Sequence, residues 1–158
     1  FFIKILIMQT MIFDNINYII YTDGACIGNP GKGGWAAIII EPSGEREIVG
    51  HEKSTTNNRM ELMAVIEALK KIEVNSQISL FSDSKYVIDG ITKWIKNWKI
   101  NDWKTTNKKE IKNLDLWMDL DKLTSKFKIT WNWVKAHSTD EYNNKVDRLA
   151  RNEAEKIS

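Results

Sequence analysis

The sequence predicts an α/β fold, a five-stranded mixed sheet flanked by helices on both faces. Two observations carry it. Three consecutive strand-like runs open the recognisable pattern, separated by turn formers, and read as a β-meander. After residue 56 the apolar period lengthens, and helical stretches alternate with two further strand-like runs, in the order βββαβα…αβα.

Asn17 to Thr22 reads as a buried strand that ends at Asp23-Gly24. The loop Gly28-Asn29-Pro30-Gly31-Lys32-Gly33-Gly34 is dense in turn formers. Trp35 to Glu41 is a second apolar strand, broken by Pro42-Ser43-Gly44, and Glu45 to Lys53 returns as a more polar third. Leu62, Val65, Ile66, Leu69 and Ile72 then mark one face of a helix, with Asn57 or Asn58 able to cap its first turn. Gln77 to Ser82 is the fourth strand. Helical pieces are expected from about Ser84 to Lys99 and from Glu110 to Leu123. Phe127 to Val134 is the last strand, with Ile129, Trp131 and Trp133 on one face, and Asn143 to Lys156 is a charged closing helix.

A chain of 158 residues is one domain by the usual prior, long enough to bury a core. Its net charge of +2 is too small to identify a nucleic-acid partner without a local concentration of charge. Cys26 is the single cysteine, so an intrachain disulfide is excluded and a reducing compartment fits. A catalytic thiol is the sharper reading of Cys26; a small buried residue beside a strand fits better, because His51 and His137 offer no local cysteine-enzyme signature. Residues 1–15 open with an apolar run over residues 1–13 that is interrupted by Lys4, Gln9 and Thr10 and is too short for a span of roughly 18–20 residues. They lack a clear signal-cleavage site and are expected to lie outside the fold, with a membrane-associating tail as the alternative. The domain is then residues 16–158.

Four acids stand out: Asp23 in Tyr-Thr-Asp-Gly, Glu61 in Asn-Asn-Arg-Met-Glu-Leu, Asp83 in Phe-Ser-Asp-Ser, and Asp147 in Lys-Val-Asp-Arg-Leu-Ala. Each alone has a plain explanation. Asp23 fits a turn, Glu61 a helix-start surface residue, Asp83 a helix cap, and Asp147 a partner for Arg151 four residues on. Gathered by the fold, they would make an all-oxygen pocket for a hard divalent cation such as Mg²⁺.

The contexts and their order resemble type 1 ribonuclease H, the bacterial ribonuclease HI group, from about Asn17 to Ala154. The matching motifs begin with Tyr21-Thr-Asp-Gly-Ala-Cys-Ile-Gly-Asn-Pro-Gly31 and Thr55-Thr-Asn-Asn-Arg-Met-Glu-Leu62. Phe81-Ser-Asp-Ser84, Gly90-Ile-Thr-Lys-Trp-Ile-Lys-Asn-Trp98 and Asp102-Trp-Lys-Thr105 follow, then Trp131-Asn-Trp-Val-Lys-Ala-His137 and Asp147-Arg-Leu-Ala150. The resemblance implies a ribonuclease H-like fold and cleavage of the RNA strand of RNA–DNA hybrids to 5′-phosphate and 3′-hydroxyl ends. It implies two Mg²⁺ ions, with Mn²⁺ as a possible substitute, held by Asp23, Glu61, Asp83 and Asp147. In that scheme Asp23 bridges both ions, Asp147 joins it on one, and Glu61 and Asp83 help hold the other. A cytoplasmic monomer with no membrane partner is the family expectation.

His137 matches the family's loop histidine, with an implied role in proton handling or product release beside the metals. Ala136 stands where the family often has Gly, and its methyl group is expected to restrict the loop. Seven lysines between Lys93 and Lys112, interleaved with Trp94, Trp98 and Trp103, form a candidate phosphate footprint. The resemblance makes this stretch, around residues 92–113, a basic protrusion gripping the DNA strand, with Trp94 and Trp98 lining a channel and Lys99 and Lys104 beside it. A solvated helix with core tryptophans is the plain alternative. Thr56 and Asn113 match a pocket for a DNA phosphate, flanked by Asn57 and Asn58. Ser54 stands where some members carry Arg, and Ile100 and Asp102 replace a frequent Lys and Gly. Cys26 to Asn29, with Glu61, match the segment that meets RNA 2′-hydroxyls. No arginine lies in the basic stretch, so recognition by shape is expected over base readout. A non-cleaving hybrid-binding module and a metal nuclease for DNA junctions are the rival readings; the intact quartet argues against the first, and the basic protrusion with His137 against the second.

Overall fold

A computed structural model describes Ile3 and residues 17–157. The expectation for residues 1–15 therefore lies outside the described residues, Ile3 excepted. Strand β1 is Asn17–Ile27, β2 Gly31–Glu41, β3 Gly44–Thr55, β4 Gln77–Ser82 and β5 Lys128–Trp133. They form one sheet in the order β3-β2-β1-β4-β5. β1, β2 and β3 pair antiparallel, whereas β4 lies parallel to β1 and β5 parallel to β4. The expected five-stranded mixed sheet is present.

Alternation along β1 and β2 divides the core. Tyr18, Ile20, Ala37 and Ile39 pack with Ile78 and Leu80 against Leu62, Val65 and Leu69 of helix α1 (Asn57–Leu69). Helix α2 (Lys85–Asp89) and helix α4 (Leu114–Thr124) close the same side through Val87, Trp117 and Leu120. Tyr21, Ala36 and Ile38 point the other way and meet Val146 and Ala150 of helix α5 (Glu141–Glu155). Helices thus cover both faces.

Several boundaries differ from the sequence expectation. β1 does not stop at Asp23 but runs to Ile27, because Gly24, Ala25 and Cys26 keep pairing with Trp35, Gly34 and Gly33. The cap of α1 is Thr56, whose hydroxyl accepts from the Arg59 N–H at 3.3 Å, not Asn57 or Asn58. Glu110 to Asn113 is not helical. Glu110 bridges to Lys104, and Asn113 takes a left-handed backbone (φ 59°) that ends the loop and starts α4.

Between α2 and helix α3 (Ile95–Ile100) the chain makes one π-helical turn, Gly90–Trp94. Gly90 lies against Trp117 so closely that a Cβ would fall 2.0 Å from its ring. That contact seats the helix carrying Trp94 and Trp98.

Candidate active site

The site is built at the carboxyl ends of neighbouring parallel strands, where α/β sheets open a crevice. Thr22 of β1 is level with Ser82 of β4, which is level with Trp133 of β5. The next residues along two of these strands are Asp23 and Asp83, so the topology sets them side by side. Glu61 arrives from α1. It can do so because β1 presents glycine at position 24, where a Cβ would lie 2.3 Å from the Glu61 nitrogen and 2.4 Å from the Met60 carbonyl carbon. No other residue permits that approach.

One oxygen from each of Asp23, Glu61 and Asp83 lies within 4.8 Å of the others. Asp23 is 3% and Glu61 4% exposed, so neither is the turn or surface residue that its local sequence alone suggests. The Gly24 N–H donates to Asp23 Oδ1 at 2.9 Å. Glu61 Oε2 is buried with no hydrogen-bond partner. A buried carboxylate oxygen without a donor is costly, and a divalent cation among three carboxylates would satisfy it. The donor set, all oxygen, fits Mg²⁺ or Mn²⁺ rather than a soft metal.

Burial is the main cause that raises both the Asp23 and the Glu61 carboxyl above the ordinary carboxylate range. For Asp23 the negative charge of Glu61 adds to it, and for Glu61 the charge of Asp83 does so. The metal-free site therefore favours retention of a proton within the pair.

Asp147 comes from α5, the helix on the opposite face of the sheet. Its negative charge adds to the upward push on the Glu61 carboxyl, and it is held by Arg151 four residues on. The fourth acid thus stands at the rim of the cluster, with its charge already shared.

Asp83 does not cap α2; Ser84 does, accepting from the Val87 N–H at 3.2 Å. Asp83 is instead held from two sides. Asn143 Nδ2 donates to its Oδ2 at 3.2 Å, and Trp133 Nε1 donates to its backbone carbonyl at 3.1 Å. Neither residue stands out in the sequence as part of a site. An asparagine near a helix start and a tryptophan in a strand look ordinary, and no spacing signal points to them.

The expected substrate residues divide between two concavities. One of about 280 Å³ is lined by Gly24 to Ile27, Asn57, His137, Asp147, Arg151 and Glu155. It brings Cys26, Asn57 and His137 to Asp147. Cys26 is half-buried, and its thiol donates to the Gly28 and Thr55 carbonyls at 3.2 and 3.4 Å. His137 is exposed and itself occupies the left-handed region (φ 54°), whereas Ala136 does not. The alanine methyl therefore meets no backbone conflict there.

The second concavity, about 390 Å³, is lined by Asn29, Thr56, Asn58, Lys112 and Asn113. Asn29 Oδ1 accepts from the Asn57 N–H at 3.1 Å. Asn113 is fixed by Arg59, which donates to its Oδ1 at 3.3 Å, and by Tyr86, whose hydroxyl accepts from its Nδ2 at 3.0 Å. Arg59 is in turn paired with Asp115 at 2.9 Å.

Trp94 and Trp98 stand apart from both concavities. Their rings are 6.0 Å apart, half-buried against Tyr86 and Trp117. Lys93 and Lys99 are engaged with Asp89 and Asp121 at 3.4 and 3.2 Å. Lys96, Lys104, Lys108, Lys109 and Lys112 are exposed. Among the described residues no helix is long and apolar enough to cross a membrane.

The family model for ribonuclease H matches residues 15–155. A ribonuclease H of Ehrlichia chaffeensis is 56% identical over 89% of this chain and 97% of that protein. One of Wolbachia pipientis wMel is 57% identical over 84% of this chain and 92% of that protein. Among solved structures, a type 1 RNase H with the type 2 active-site motif superposes with a TM-score of 0.81 at 30% identity, covering 91% of this chain and 74% of that one. A matching sheet, a carboxylate cluster at its strand ends and identity along nearly the whole length converge on one assignment: the chain belongs to the ribonuclease H family.

Proposed function

We propose that this protein is a Mg²⁺-dependent endoribonuclease that hydrolyses the RNA strand of RNA–DNA hybrids, leaving 5′-phosphate and 3′-hydroxyl ends. The observation that carries the reading is the convergence of Asp23, Glu61 and Asp83 around the unpartnered Glu61 oxygen, in a chain of this family. A foamy viral protease–reverse transcriptase that shares the fold at 21% identity is solved in complex with an RNA/DNA hybrid. The curated relatives carry the name ribonuclease H.

Asp23, Glu61, Asp83 and Asp147 would hold two Mg²⁺ ions, or Mn²⁺ in their place, with Asp23 shared between them. Bound there, such ions lower the pKa of an attacking water and offset charge on the leaving 3′ oxygen. The chain's own residues supply the rest. The Gly24 N–H fixes the rotamer of Asp23, and the burial of Asp23 and Glu61 keeps bulk water from screening the site. Arg151 must release Asp147 for all four carboxylates to serve together. His137, which lines one concavity with Asp147 and Arg151, would take or give a proton as product leaves.

The half-buried Cys26 and Asn57, the exposed Asn29 and the Gly-containing turn between Cys26 and Asn29 would face the minor groove of the hybrid, where 2′-hydroxyls mark the RNA strand. Thr56, Asn58 and Asn113 line a concavity suited to one phosphate of the DNA strand, with Lys112 supplying charge. Trp94, Trp98, Lys99 and Lys104 extend the DNA grip along the protrusion. A monomer working in the cytoplasm is the accompanying expectation.

The test is direct. Purified protein is incubated with end-labelled RNA–DNA hybrid, duplex RNA and duplex DNA, with Mg²⁺ or with EDTA. Metal-dependent cutting of the hybrid RNA alone is expected, and equal cutting of duplex DNA would overturn the reading.

A further inference from the structure

Asp83 is the least buried acid of the three-carboxylate cluster and the one with the least support from its own strand. β4 ends at Ser82, so Asp83 sits in a bend with no ladder partner on either side. Its backbone and carboxylate would be free to rotate away from Asp23 and Glu61, which repel it. Two residues from two other elements prevent this. Trp133, the last residue of β5, donates its indole N–H to the Asp83 carbonyl at 3.1 Å. Asn143, in the first turn of α5, donates its amide to Asp83 Oδ2 at 3.2 Å.

Both contacts run against the ordinary preferences of their residues. Trp133 is 45% exposed, although Ile129 and Trp131 of the same strand pack on the core. Its ring is not used for burial; Lys85 covers it at 4.9 Å, and its N–H points at Asp83. Asn143 is only 1% exposed, and its Oδ1 is buried without a partner. Burying an amide with half its capacity unused is costly unless the other half does something of comparable value. The Asn143 backbone N–H is already satisfied by the Asp140 cap at 3.1 Å, so helix start does not require its side chain.

We infer that Asn143 and Trp133 are positioning residues that hold Asp83 in the orientation needed to bind a divalent cation, one through its carboxylate and the other through its backbone. The inference rests on the functional reading above, because it concerns cation binding by the same cluster. Asn143 also couples the two faces of the sheet. It stands one helical turn before Asp147 on α5, so one helix both supplies the fourth acid and orients the third.

A positioning role predicts a loss in metal affinity rather than in substrate affinity. Outer residues that orient metal ligands typically contribute about 10–100-fold to affinity or activity. Mn²⁺ titration of the purified protein, by calorimetry and by the electron paramagnetic resonance of free Mn²⁺, would be compared among wild type, Asn143→Ala and Trp133→Phe. Asn143→Ala is expected to weaken Mn²⁺ binding about tenfold and Trp133→Phe about threefold. With RNA–DNA hybrid as substrate, KM at saturating metal should stay within about twofold, while kcat recovers as Mg²⁺ is raised.

A merely structural role would lower thermal stability and raise KM without shifting the metal requirement, and would overturn the inference. Unchanged Mn²⁺ affinity in both variants would also overturn it. If Asn143→Ala does not fold, Trp133→Phe decides alone, since it keeps an aromatic ring at an exposed position and removes the indole donor. Failure of the wider reading looks different: wild type itself would bind no Mn²⁺ that Asp83→Asn abolishes.

Discussion

The carboxylate cluster and the basic protrusion carry opposite charge and are built by opposite means. In the cluster, Asp23 of β1 and Glu61 of α1 are buried and locked by strand register and close glycine packing, while Asp83, just past the end of β4, is held by Asn143 and Trp133. The protrusion is exposed. Its loop contains left-handed residues at Asp102, Trp103, Lys108 and Asn113, and its lysines extend into solvent. Like charges forced together in a dry site raise the free energy of the metal-free fold, whereas solvated lysines cost little until they meet a phosphate. In the proposed enzyme the first region would trade stability for reactivity, and the second would supply affinity without demanding rigidity.

The largest expected effect lies in the cluster. Asp23→Asn should abolish cleavage, with kcat down by at least about 10³-fold, and should leave hybrid binding within about threefold. Filter binding in Ca²⁺ and single-turnover cleavage in Mg²⁺ would measure the two. The same change should raise the metal-free melting temperature by about 3 °C, the shift that roughly 1 kcal/mol gives a chain of this length.

The pH dependence has a definite sign. The folded Asp23 and Glu61 carboxyls are raised, so the unfolded chain binds fewer protons than the folded one above the ordinary carboxylate range. Metal-free wild type therefore loses stability as pH rises from about 4. Asp23→Asn removes part of that loss, so the melting-temperature gap between the two should be wider at pH 8 than at pH 5. A gap independent of pH would mean that the cluster is not electrostatically stressed.

Next in size is His137→Ala, which tests whether an exposed rim residue shares in the chemistry of the buried centre. A reduction in steady-state turnover of about 10²-fold is expected, the lower end of general acid–base effects. Its position at the rim rather than among the buried acids predicts a smaller reduction in single-turnover cleavage than in steady state. Equal loss in both would move His137 into the chemical step.

The two regions also differ in how much of them the sequence reveals. The strands and the α1 face are legible because alternation and helical period report burial directly. Asp23 was legible as an acid but not as a mid-strand residue. Gly24, Gly33 and Gly34 suggest turns, yet they sit within paired strands, where Gly24 and Gly33 admit Met60 of α1 and Gly34 admits Ala150 to Ala154 of α5. In the protrusion, Glu110 to Asn113 has helical composition, but the Lys104–Glu110 bridge and left-handed Asn113 redirect the chain. Asp102 stands where the family often has Gly, and its φ of 55° shows why glycine suits the position. The support for Asp83 was illegible, because Asn143 and Trp133 reach it across 60 and 50 residues of sequence.

On the protrusion, replacing Lys96, Lys99 and Lys104 by Ala should weaken hybrid binding about tenfold near 0.1 M salt and flatten its salt dependence. Each lost phosphate contact removes about 0.9 from the slope of log K against log salt on a B-form duplex, and a change of similar size is expected on the hybrid. Single variants sharpen this. Lys99 already pairs with Asp121, so Lys99→Ala should change the slope less than Lys96→Ala or Lys104→Ala. The rate at saturating hybrid should fall less than twofold, and an unchanged slope in the triple variant would reduce the lysines to a solvated face.

The smallest effect is expected at Ala136, where the two kinds of architecture meet. From sequence, an alanine in place of the family's frequent glycine suggests a stiffened His137 loop. The backbone says otherwise, because the left-handed residue is His137 and Ala136 is exposed. A glycine gains nothing where φ is already open to any residue, and it adds freedom only to the unfolded chain. Ala136→Gly should therefore leave turnover within about twofold and lower the melting temperature slightly, by about 1–2 °C. A several-fold rise in steady-state turnover, with single-turnover cleavage unchanged, would show instead that this methyl group limits product release.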